Sequence, residues 1–161
     1  MPANTNFGNS PATSFRLLVI IHLALLAGQV LFAAVCVLIT PKIIINVRDT
    51  QSPFVYLAPA LAVVGVLMSN FLYTSMLKNI SDKKGLGPKL SIYQSAHIVR
   101  CALLEGPSLF AIVVFFLTGE LYYLIISVFI MGYFIYLRPT KEKVAEAASL
   151  TYEEKAEFNQ A

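Results

Sequence analysis

The residues best suited to chemistry lie in one short stretch. Residues 102–113 read ALLEGPSLFAIV, which sets a single carboxylate, Glu105, among apolar side chains with Gly106 and Pro107 directly after it. An ionised carboxylate in hydrocarbon is costly unless paired or hydrated, so Glu105 is expected to be neutral much of the time and to donate a hydrogen bond. Pro107 has no amide hydrogen, and inside a helix it deprives the Leu103 carbonyl of its usual donor. A carboxyl group one turn from a free carbonyl makes Glu105, Leu103 and Pro107 a candidate proton or cation site. Gln29, at similar depth on an earlier helix, is the candidate hydrogen-bond partner. The competing reading is a kinked helix whose acid is satisfied by Gln29 or by water.

A second constellation overlaps the first. His97, Cys101 and Glu105 follow i, i+4, i+8 spacing and form one stripe whose ends are roughly 12 Å apart. One metal ion cannot reach all three, and no other Cys/His cluster completes a set, so no metal site and no cofactor are expected. His22 and Asn70 fall at about the depth of His97. With Arg100 they are expected to form an inner polar layer. The stem of Arg100 tilts toward the N-terminal end of its helix and is expected to reach the cytoplasmic interface. Paired carboxylates, a Ser-His-Asp set and a Gly-Lys-Ser/Thr phosphate loop are all missing, so the chain is not read as an enzyme.

These residues need a membrane scaffold. The chain has 161 residues, 57% of them hydrophobic and 13% charged, against about 25% charged for a soluble domain. Its mean hydropathy is +0.70. Four apolar stretches, residues 17–40, 54–77, 92–117 and 121–137, approach or exceed the roughly 17–20 residues a spanning helix needs. The expectation is an all-α fold: a four-helix transmembrane bundle over 15–138, after a disordered tail at 1–14 and before an amphipathic or disordered cytoplasmic tail at 139–161. The three-residue link Thr118-Gly119-Glu120 requires the third and fourth helices to be adjacent and antiparallel. In the last segment Thr151 and Glu154 have capping-box spacing.

Charge sets the expected orientation. Arg16, Lys78, Lys83, Lys84, Lys89, Arg100, Arg138, Lys141, Lys143 and Lys155 fall on one side of the four spans and only Lys42 and Arg48 on the other. Both termini are therefore expected in the cytoplasm, in a multi-pass protein of the cytoplasmic (inner) membrane. The net charge of +3 is spread at helix ends rather than along a basic stripe, so nucleic acid is not an expected partner. The lipid bilayer is, together with a second copy or another membrane-complex component. Cys36 and Cys101 fall at different depths, which argues against a disulfide.

There is also an internal repeat. Residues 24–35 read ALLAGQVLFAAV and match residues 102–113 at eight of twelve positions. A duplicated hairpin would account for it, as would the low complexity of membrane helices. Finally, the stretch ALLEGPSLFAIVVF resembles the carboxylate-bearing helix of the rotary ATP synthase proteolipid c subunits, and the resemblance places that family's ion-binding carboxylate at Glu105. It covers about 15 residues. The apolar stretch 54–77 carries only Gly65 where that family repeats glycines, and the loop after it, residues 79–90, lacks that family's Arg-Gln/Asn-Pro. The whole chain more broadly resembles small uncharacterised four-helix bacterial inner-membrane proteins. Two functions follow as expectations: an accessory or scaffold component of the membrane, or a proton- or cation-coupled carrier or channel that uses Glu105.

Overall fold

The computed structural model describes residues 11–45 and 52–160. It is all-helical. The elements are α1 (Pro11–Ile39), α2 (Phe54–Leu77), α3 (Leu86–Thr118), α4 (Leu121–Tyr136), α5 (Lys141–Ala147) and α6 (Tyr152–Gln160). The helices α1, α2 and α3 are long and apolar enough to cross a bilayer. A fourth span arises only if α4 and α5, bent by 80° at the Arg138-Pro139 break, count as one. By itself α4, with 16 residues, is about 24 Å long.

The longest helix, α3, is the hub, and α1, α2 and α4 all pack on it. Its contacts sort by face. Cys101 meets α1, Ser108 meets α4 through Ser127 at 2.8 Å, and Pro107 meets α2 at Gly65. Ala102, Gly106, Val113 and Leu117 remain exposed on its fourth side. Gly65 is what lets α2 approach the proline. A Cβ there would sit 2.7 Å from Pro107 Cγ and 2.9 Å from the Leu103 carbonyl oxygen, closer than real carbon atoms pack.

Far from the chain ends, the segment after α1 joins the α3–α4 turn. Ile44 donates to the Gly119 carbonyl at 2.8 Å, and Leu121 donates to the Ile44 carbonyl at 2.8 Å. Gly119 has φ of +71°, and a Cβ on it would lie 2.5 Å from the Lys42 carbonyl oxygen. Glycine is required there both for the left-handed backbone and for the space.

The expected boundaries need two corrections. Helix α3 begins at Leu86 rather than near residue 92, because Pro88 falls in its first turn, where the missing amide hydrogen has no intrahelical partner to lose. The C-terminal segment, expected to be amphipathic or disordered, forms α5 and α6 and packs into the bundle rather than lying on its surface. Val144, Ala148, Leu150 and Phe158 are buried with Leu18, Ile80, Leu86, Leu90 and Tyr93 in one apolar cluster. Phe15 of α1 meets Phe158 of α6 edge to face at 5.6 Å, so both described ends of the chain lie at the same end of the bundle. The capping box closes α6: Thr151 donates its amide to Glu154 Oε2 at 2.9 Å, and Glu154 donates its amide to Thr151 Oγ1 at 3.3 Å. The same carboxylate accepts from Lys89 Nζ at 2.7 Å, and that hydrogen bond holds the Glu154 carboxyl below its ordinary range. Of the tail expected at 1–14, residues 1–10 lie outside the described residues and 11–14 are helical. Arg48 also lies outside the described residues.

Candidate functional site

A helix turns 100° per residue, so His97 and Cys101, four apart, share one side of α3. That side faces α1, and α1 presents His22 at the same depth. His97 Nε2 lies 3.2 Å from His22 Nδ1, and Cys101 Sγ lies 3.6 Å from the same nitrogen. The three side chains are between 1 and 2% exposed. Each ring is backed by an aromatic side chain. Tyr93 stacks on His97 with centroids 5.9 Å apart, and Phe134 lies 4.6 Å from His22. The other ring nitrogen of His22, Nε2, is buried as well.

Beside this cluster is a cationic one. Arg100 projects toward α2 and α4, where its Nη2 donates to Asn70 Oδ1 and, at 3.2 Å, to the Tyr133 hydroxyl. Tyr133 donates to the same Asn70 oxygen at 2.9 Å. The guanidinium lies 4.4 Å over the Tyr73 ring, a cation–π contact. Its Nε is buried without a partner. Arg100, expected to reach toward the interface, is engaged by side chains of α2 and α4. Asn70 and Tyr133 hold it across the bundle, since a guanidinium with five donors is better satisfied by fixed acceptors than by a long stretch toward water. A cavity of about 390 Å³ opens between Tyr93, His97, Arg100, Tyr136 and Lys143, at the end of the bundle that carries the tail helices.

The Glu105 constellation is dispersed. Glu105 is half-buried and flanks exposed Ala102 and Gly106. No hydrogen bond or ion pair reaches its carboxyl group among the described residues. Gln29 is fully buried, but its amide nitrogen donates to its own helix at Leu25 O, 3.4 Å away, and its oxygen has no partner. No hydrogen bond joins Gln29 to Glu105 among the described residues. The Leu103 carbonyl, freed by Pro107, lies against Gly65 of α2.

The structure thus draws His22 to His97 and Asn70 to Arg100, and among the described residues no hydrogen bond joins Glu105 to Gln29 or to Leu103. Tyr73, Tyr133 and the Ser108–Ser127 pair join the polar interior without having been singled out as partners. The available signal was depth, and it succeeded for the His22–His97, Asn70–Arg100 and Ser108–Ser127 pairs. No protein-family model matches the chain, and no match to it was found among curated proteins or among solved structures.

Proposed function

We propose that the chain is a multi-pass accessory or scaffold protein of the cytoplasmic membrane that self-associates through the open face of α3. The observation that carries this reading is Glu105, a carboxyl group with no hydrogen bond or ion pair among the described residues, on a face where Ala102 and Gly106 are exposed and a Cβ at Gly106 would meet nothing within 4 Å. Small residues four apart let membrane helices approach closely, and a polar side chain beside them supplies an interhelical hydrogen bond.

The occupant that fits is a second copy. The Lys/Arg distribution inserts every copy with both ends in the cytoplasm. A twofold axis relating two such copies must run along the membrane normal, so each residue meets its own counterpart at equal depth. Gly106 then faces Gly106, and Glu105 faces Glu105. A neutral carboxyl group carries one donor and one acceptor, so two of them satisfy each other.

Energy transfer between labelled copies in liposomes, diluted with lipid, tests this. Glu105→Gln keeps a donor and an acceptor and should keep the dimer. Glu105→Ala and Gly106→Leu should weaken it about 3- to 30-fold, the equivalent of about 0.6–2 kcal/mol for an interhelical hydrogen bond. Unchanged transfer in both would refute the reading.

Carrier activity through Glu105 is the second reading, favoured by two polar groups without hydrogen-bond partners among the described residues, Glu105 and the Gln29 oxygen. It predicts proton flux in liposomes that Glu105→Gln abolishes. The scaffold reading predicts no flux in either protein.

A further inference from the structure

The cluster between α1 and α3 holds more contacts than hydrogen bonding uses. His22 Nδ1 approaches both His97 Nε2 at 3.2 Å and Cys101 Sγ at 3.6 Å. A neutral ring nitrogen offers either one N–H or one lone pair, enough for one of them. A cation between the three atoms would use all of them. Metal–nitrogen distances of about 2.0–2.1 Å and metal–sulfur distances of about 2.3 Å place neighbouring ligand atoms about 3.3–3.8 Å apart. The two contacts fall at or just below that range, and all three ligand atoms lie within 4.8 Å of one another. The rings are already held by Tyr93 and Phe134. The third ligand, His22, comes from another helix, which is why the spacing along α3 does not reveal the set.

We propose that His22 Nδ1, His97 Nε2 and Cys101 Sγ form a three-ligand site for a soft monovalent cation, Cu(I). The donor set selects the ion first, since thiolate favours soft metals and imidazole suits copper and zinc. Charge then separates those two. Binding releases the Cys101 proton. A thiolate with Cu(I) and two neutral imidazoles sums to zero, whereas Zn(II) would leave one net positive charge. Unpaired charge is costly at a buried site. Arg100 and Lys143, which with Glu146 line the adjoining cavity, raise that cost. Coordination number agrees. Zn(II) takes a fourth ligand, and among the described residues no further His, Cys, Asp or Glu joins this group. The cavity of about 390 Å³, which His97 lines, gives the ion a way in. The site is independent of the α3 face described above.

The test uses the full chain in detergent, stripped with a chelator and titrated without oxygen with Cu(I) against a chromophoric Cu(I) chelator. One equivalent should bind. X-ray absorption of the loaded protein should show one sulfur and two nitrogen neighbours. Cys101→Ser and His97→Gln should each weaken binding by at least about 100-fold, since even changes behind the ligands cost 10–100-fold. Cys36→Ala removes the other buried thiol and should keep the full equivalent. Should either ligand variant fail to fold, the metal's neighbours in the wild-type protein still decide. No stoichiometric binding, a shell without sulfur, or undiminished binding by folded Cys101→Ser would overturn the site. Displacement of Cu(I) by an equal concentration of Zn(II) would overturn the choice of ion.

Discussion

Gly65 of α2 and Pro107 of α3 are complementary: the space for a Cβ on Gly65 is taken by the proline ring, 2.7 Å away, and by the carbonyl that the proline leaves unpaired, 2.9 Å away. The pair sets how closely the two helices approach. It also explains why a lone glycine in α2 is enough, since only one place on that helix meets a proline.

Gly65→Ala should therefore destabilise the protein by about 1–3 kcal/mol, the usual cost of overpacking. Pro107→Ala shortens the opposing side chain and restores the bond to Leu103 O. The double variant should then be less destabilised than the sum of the two single variants. Thermal unfolding in detergent of all four proteins gives the coupling, and strict additivity would show that the two residues do not compete for one space.

Gly119→Ala should be worse tolerated. It forces a side chain into the left-handed region, at about 1–2 kcal/mol, and against the Lys42 carbonyl oxygen at 2.5 Å. Backbone cannot yield as a side-chain tip can, so the bridge between Ile44 and Glu120 should open. Faster hydrogen exchange at the Ile44 and Leu121 amides would report it.

The tail should loosen in acid. Glu154 accepts from Lys89 and from the Thr151 amide, both of which favour its charged form. Its carboxyl titrates below the ordinary 4.5 in the folded protein, so the stability it contributes is present above that value. It is lost as pH falls through the depressed one. Protease cleavage within α6 should rise in that window and should rise less in Glu154→Gln, which begins without the ion pair. A tail equally protected at neutral and low pH would contradict this.

How legible was this molecule in its residues? The apolar spans were plain because a membrane needs long runs of one composition. The start of α3 was hidden because Lys83-Lys84-Gly85-Leu86-Gly87-Pro88 has turn chemistry, and only the burial of Leu86 and Leu90 shows that it winds into helix. The tail was hidden for a related reason. Val144, Ala148 and Phe158 make a weak apolar face alone and gain their partners, Leu18, Ile80, Leu86, Leu90 and Tyr93, from far earlier in the chain, a long-range contact that no local pattern encodes. Within the bundle, the rise of a helix gives depth but not which neighbour a face meets. Hence His22 and His97 were placed at one level and do touch, while Gln29 and Glu105 were placed at one level and share no hydrogen bond among the described residues.

The most direct test of the account is whether two copies meet at Gly106. The native cysteines are buried, so a new one is the reactive site for a short bifunctional thiol reagent applied to intact membranes. Gly106→Cys should give a covalent dimer. Phe129→Cys, on the α4 surface where Phe129 is 76% exposed, should give none, and wild type should give none. A Gly106→Cys protein that stays monomeric while its thiol is shown to react with a monofunctional reagent, or dimer in equal yield from Phe129→Cys, would contradict assembly through this face.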